Sequence, residues 1–247
     1  MDIIDSATTT TRIAATSAEY TRAVAAAPNT TNVIPGVLVL QAEEVAGRLG
    51  EEGFDDLGAA LRVYVPGDAA AQATVRVIPE GDALTGASFD LVLNPGVVTD
   101  VPIEGLVDGS YSVIVEANVP IVTAMRVSTV AAEKVGSVPA GASDVAWFAA
   151  ATPLSDSAYT TIASGPGASL HLVNPGDAAA TVTVGAGSIS VPAGASVTVE
   201  VNEGESLSIT GAEGLFASVS LRASGRLASY LVTSAANSEQ PVTVYPG

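Results

Sequence analysis

Aliphatic residues recur at every second position through most of this chain. Leu61, Val63 and Val65 alternate with Arg62 and Tyr64, and Val75 and Val77 alternate with Thr74 and Arg76. A period of two sends successive side chains to opposite faces, so each run reads as a strand with one buried face. The pattern predicts strands over 33–40, 61–65, 73–78, 88–93, 97–103, 111–116 and 121–128. A second set is predicted over 145–150, 169–173, 180–184, 187–191, 196–201, 206–210, 215–222 and 227–233. Turn signals separate them: "NPG" at 94–96, "VDGS" at 107–110, and "VPAG" at 138–141 and again at 191–194. Two stretches break the alternation. "QAEEVAGRLGEEGFDD" (41–56) predicts a short helix near 41–50 followed by an acidic loop. "SAEYTRAVAAAP" (17–28) reads as a helix with Ser17 as N-cap, although Thr21 and Val24 also suit a strand.

One segment is written nearly twice. "LRVYVPGDAA" from Leu61 lies over "LHLVNPGDAA" from Leu170, and after a two-residue insertion (Ala71, Gln72) "ATVRV" lies over "ATVTV". The offset of 109 residues suits a sandwich domain of ~100 residues. Pro followed by Gly at the centre of a four-residue turn predicts type II geometry at Val65–Asp68 and at Asn174–Asp177. Each copy then reads as strand, turn, strand, one hairpin per unit. The expected fold is all-β, with two tandem immunoglobulin-like antiparallel sandwiches at 32–143 and 144–247. The N-terminal extension 1–31 is expected to supply an extra strand, "TTRIAAT" (10–16), to the first sandwich. "PVTVY" (241–245) is expected to add to the second.

Composition narrows the function. Of 247 residues, 48% are hydrophobic and only 4% aromatic, so the core is built from Val, Leu, Ile and Ala. Acids outnumber Lys and Arg by 26 to 9, a net charge of −17. Such a polyanion is repelled by nucleic acid and by anionic membrane surfaces. No apolar run approaches the ~20 residues a spanning helix requires, so no membrane insertion is expected. Two sandwiches of this size bury enough surface to fold without disulfides, which agrees with the absence of cysteine. The first residues carry neither a basic nor an apolar signal region, which is expected either of a cytoplasmic protein or of a chain whose export signal or anchor has been removed.

Candidate chemistry is sparse. His171 is the single histidine; a Ser-His-Asp triad would need it. It lies mid-strand between Leu170 and Leu172, at the place held by Arg62 in the first copy, and is therefore expected on a solvated face with no catalytic part. One His and no Cys leave little for zinc. Glu51, Glu52, Asp55 and Asp56 form an acidic, glycine-punctuated loop, the one candidate for calcium, which takes six to eight oxygens from such loops; a solvated acidic loop is the simpler expectation. Trp147 and Phe148 alternate in "DVAWFAAATP", so one ring points in and the other out. The expected role is core or interdomain packing, with a ligand platform as the alternative.

The segments "LRVYVPGDAAAQATVRV", "LVLNPG", "DVAWFAAATPL" and "LHLVNPGDAAATVTV", in that order, resemble a family of actinobacterial secreted or envelope-associated proteins known only as a domain of unknown function. The resemblance covers roughly 32–247. It implies an extracellular or cell-envelope location and brings no catalytic residues. The expected function is a non-catalytic structural or interaction module with a protein partner in the envelope. The alternative is a sandwich that binds a glycan or small ligand. No enzyme activity and no cofactor beyond calcium are expected.

Overall fold

The computed structural model describes residues 7–13, 17–23, 27–51, 57–81 and 84–234. Strands dominate, as alternation predicts. β1 (Ala7–Ile13) and β2 (Ser17–Ala23) pair antiparallel as a two-stranded ribbon. Residues 17–23 are thus strand, not helix, and among the described residues β1 is laddered to β2 rather than to a sandwich sheet. A strand partner at close sequence distance satisfies its backbone without recourse to the sandwich. Residues 241–245 lie outside the described residues.

The first body comprises β3 (Asn29–Val39), α1 (Ala42–Arg48), β4 (Ala60–Tyr64), β5 (Ala71–Pro79), β6 (Ala87–Leu93), β7 (Val98–Pro102), β8 (Gly109–Val130) and β9 (Ser143–Ala149). The sequence predicts two strands where β8 runs unbroken for 22 residues. Its first half pairs with β3 and β5, and its second half with β4 and β9. Leu61, Val63, Val75, Val113, Met125 and Phe148 meet in the core. Tyr111 is fully buried, and its hydroxyl donates to the Val107 carbonyl 2.9 Å away, fastening the start of β8 to its own turn. β9 is grouped with the second repeat by sequence, yet it is hydrogen-bonded to β8.

The second body comprises β10 (Ser157–Thr161), β11 (Ser169–Asn174), β12 (Ala180–Val184), β13 (Gly187–Val191), β14 (Ala195–Glu200), β15 (Ser206–Thr210), β16 (Phe216–Ala223) and β17 (Arg226–Leu231). These form two four-stranded sheets, β10-β15-β12-β13 and β14-β11-β16-β17. Leu170, Leu172, Val182, Ile209, Ala217 and Val219 fill the space between them.

The pairings of the two bodies correspond strand by strand. β4 lies between β7 and β8 as β11 lies between β14 and β16; β5 lies between β6 and β8 as β12 lies between β13 and β15. β8 therefore does in one piece what β15 and β16 do in two. The twice-written turn occupies the same place in both, but it is not a hairpin. β4 is not paired with β5, nor β11 with β12; the first turn carries the chain from the ladder on the second half of β8 to that on its first half, and the second carries it from one four-stranded sheet to the other. It is not type II either, because neither Gly67 nor Gly176 takes a positive φ. In the second body Asn174 shapes the turn through its side chain: Oδ1 accepts from Gly176 N–H (3.0 Å), and Nδ2 donates to the carbonyls of Ala178 and Val191. A side-chain amide that mimics backbone relieves the turn of its need for a left-handed residue.

Candidate functional site

β11 alternates faces as the sequence predicts, but both faces are buried. Leu170 and Leu172 point into the second core, while His171 and Val173 point toward the first body. The neighbours of His171 on that outer face are small: Thr198 on β14 and Ser218 on β16 are its cross-strand partners. Short hydroxyl side chains leave room for another backbone to approach. The backbone that does so is β3, at Pro35–Gly36, where its register against β8 shifts. Proline inside a sheet is confined to edges and bulges because it donates no ladder bond. Gly36 sits at φ 67, and a Cβ placed on it would lie 2.4 Å from the His171 ring and 2.7 Å from Ser218 Oγ. The bulge turns the Pro35 carbonyl toward the second body, where Ser218 Oγ donates to it at 2.8 Å.

His171 is wholly buried, against the expectation of a solvated strand face. Its Nδ1 lies 2.5 Å from Glu80 Oε2 and its Nε2 lies 2.6 Å from Ser220 Oγ. A carboxylate only accepts, so Nδ1 carries a proton, and in the neutral ring Ser220 donates to Nε2. Glu80 follows the last residue of β5 and reaches across from the first body. Its side chain is as inaccessible as that of His171. Besides the imidazole it accepts from Ser112 and Ser196 at Oε1 and from Thr198 at Oε2, each at 2.6 Å. Burial alone pushes the Glu80 carboxyl upward; the hydrogen bond and charge of His171, with the Ser112 and Ser196 hydroxyls, outweigh it and hold the group below its usual value. Every acceptor position of this buried anion is therefore used. Beside the cluster, Val33, Ile114, Val173 and Phe216 form an apolar seam between the bodies.

Ser220, His171 and Glu80 stand in the order nucleophile, base and orienting acid. Acyl transfer also requires a place for a carbonyl within about 3 Å of the nucleophile. Ser220 and His171 are both at 0% exposure, and the Gly36 backbone lies on the ring. Two surface cavities of about 470 and 560 Å³ open elsewhere, one near Leu221–Ala228 and one beside α1, and neither is lined by a member of the cluster. The arrangement fastens two bodies through a desolvated charge network.

The other candidates are scattered. Phe148 is in the core of the first body. Trp147 faces outward, with the Arg62 guanidinium 4.8 Å from its ring centroid; Arg62 is itself held bidentate by Asp100 at 2.7 and 2.6 Å. Glu51 pairs with Arg48 at 2.6 Å on the surface after α1. Glu52, Asp55 and Asp56 lie outside the described residues. Among the described residues no three of His, Cys, Asp or Glu are grouped so as to hold a metal ion, and no helix is long and apolar enough to cross a membrane. Sequence reasoning missed Glu80, which reads as an ordinary turn acid in "IPEGD", and the serines around it. The available signal was slight: the outward positions of the first copy's strand are Arg62 and Tyr64, whereas in "SLHLVN" the matching outward positions are His171 and the apolar Val173.

No curated protein matches the chain. One solved structure, the crystal structure of Thermotoga maritima 1070, is similar over 50% of this chain and 93% of its own, at 15% identity and a TM-score of 0.36. At that score it carries no argument. The sequence pattern of the family of unknown function DUF5719 matches residues 7–212, most of the chain, from β1 through β15, and the chain belongs to that family.

Proposed function

We propose that the chain is a non-catalytic structural and interaction module of an extracellular or cell-envelope protein of actinobacterial type, built from two tandem copies of one sandwich with the junction after β9. The observation that carries this reading is the use made of the only histidine: it is sealed with Ser220 and Glu80 between the bodies, where it fixes their orientation and meets no substrate. The corresponding strand pairings support the duplication. The charge of −17 suits a surface exposed to solvent and ions rather than to nucleic acid. The module acts by presenting a rigid pair of sandwiches to a protein partner in the envelope. Two measurements test it. A fluorophosphonate probe, which labels activated serines, is expected to leave the folded protein unlabelled, and labelling at Ser220 overturns the non-catalytic reading. Fractionation of the source organism is expected to recover the protein outside the cytoplasm, and a cytoplasmic pool alone overturns the location.

A further inference from the structure

The cavity beside α1 lies over the outer face of β7, β4 and the second half of β8. Leu61, Val63, Met125 and Val127 point from these strands into the core, so the alternate positions face outward. Pro102, Ala60 and Arg126 stand side by side across the three strands and form the floor, with Ser128 and Val130 further along β8. The helix turns Ala42, Val45, Ala46 and Leu49 to this side, at the spacing of one helical face. Val45 closes on the sheet with Leu57 and Val130. The short side chains of Ala42, Ala46 and Ala60 leave a cavity of about 560 Å³ beside that contact. Leu40, Ile103 and Leu106 extend its aliphatic walls, and Leu49 is 48% exposed at its rim. Its size and mostly apolar lining are those of a small-molecule site.

Two polar groups on the floor give the cavity a chemical direction. Ser128 is 3% exposed, and its Oγ meets no hydrogen-bond partner among the described residues. Buried hydroxyls are nearly always partnered, so an orphan in a cavity wall marks a point where a ligand can supply the partner. Arg126 precedes Ser128 by two positions on the same face and lines the same cavity. Arg126 also acts on Asp100, but a guanidinium carries five donors and one carboxylate does not exhaust them. The two acids of the lining leave this charge in place: Arg62 holds Asp100 bidentate, and Glu104 is exposed. No aromatic ring lines the cavity, so a sugar or a flat ring has nothing to stack on. We propose that the cavity binds a linear alkyl carboxylate. The chain lies along the aliphatic walls, where burial of apolar surface drives binding. The carboxylate accepts charge-assisted hydrogen bonds from Arg126 and a further one from Ser128 Oγ.

Isothermal titration of the full chain with dodecanoate, kept below its micelle concentration, tests the proposal. One saturable site per chain is expected. Dodecanol has the same chain without the charge and is expected to bind about tenfold more weakly or worse, the loss of a charge-assisted hydrogen bond. Ser128→Val, which removes the hydroxyl and keeps the bulk, weakens dodecanoate by about fivefold. Ala46→Trp places an indole in the cavity from an exposed helix position that the fold tolerates, and abolishes binding. Absence of saturable dodecanoate binding overturns the proposal, as does undiminished binding to Ala46→Trp. Dodecanol binding as tightly as dodecanoate overturns the placement of a carboxylate at Arg126. That comparison uses the wild-type chain and decides the matter whether or not the variants fold.

Discussion

Arg62 and His171 occupy the same position in two bodies of corresponding pairing, and each is paired with an acid. Arg62 grips Asp100 with both side chains about 40% exposed, beneath solvent and over Trp147. His171 grips Glu80 with neither exposed. The strands differ little in their inward residues; what differs is the object that covers the outward face. Around Arg62 the face meets water, so a long charged side chain costs nothing to desolvate and gains little from its partner. Around His171 it meets Pro35–Gly36, so the charge network has to be complete. Strand position alone does not determine environment; the neighbour across the outer face does.

The largest effect that sharpens this contrast is expected for His171→Ala. It leaves the buried Glu80 carboxylate without the imidazole N–H that it accepts from, and removal of one member of a buried pair costs about 3–5 kcal/mol, read as a lowered urea midpoint. A shift within that of a surface substitution would mean that water enters the junction and the contrast is lost. Gly36→Ala comes next. It combines a left-handed backbone with a Cβ in the His171 ring, and a cost of about 1–3 kcal/mol follows from overpacking, measured in the same titration. Acid dependence is third. The Glu80 carboxyl is held below its ordinary value of 4.5, so the unfolded chain takes up the proton first. The stability this group contributes is present in full above that value and is lost as the pH falls through the folded-state pKa. Unfolding free energy measured between neutral pH and pH 3 is expected to fall less steeply in Glu80→Gln than in the wild type. Asp100 is also lowered, chiefly by its hydrogen bond to Arg62, but its exposure screens the contribution. The smallest effect is that of Arg62→Ala, at most about 1 kcal/mol by urea denaturation; a larger loss would place Arg62 on a junction of its own.

Much of the fold was legible because alternation encodes it directly. The runs around Leu61–Val65 and Val182–Val184 are strands in both sequence and structure. Three things were not legible. The Pro-Gly dipeptides at 66–67 and 175–176 state a turn but not its destination; whether the next strand pairs with the last or crosses to the other sheet depends on tertiary packing. Residues 17–23 satisfy helix and strand alike, and pairing with β1 decides the matter. The environment of His171 was invisible because Glu80 and Gly36 are 91 and 135 residues away from it in the chain. A period of two separates faces but says nothing of what lies beyond them.

β8 gives the first body a property the second lacks. A single backbone of 22 residues is laddered into both sheets, whereas β15 and β16 are joined through a turn that contains Gly211 and Gly214. Amide hydrogens protected by a strand common to both layers exchange only when both layers open together. The slowest-exchanging amides of the protein are therefore expected along residues 113–127. In the second body the turn at 211–214 acts as a seam at which the layers separate with independent kinetics. Under tension or transient heating the first body releases as one cooperative block, and the second opens one leaf at a time.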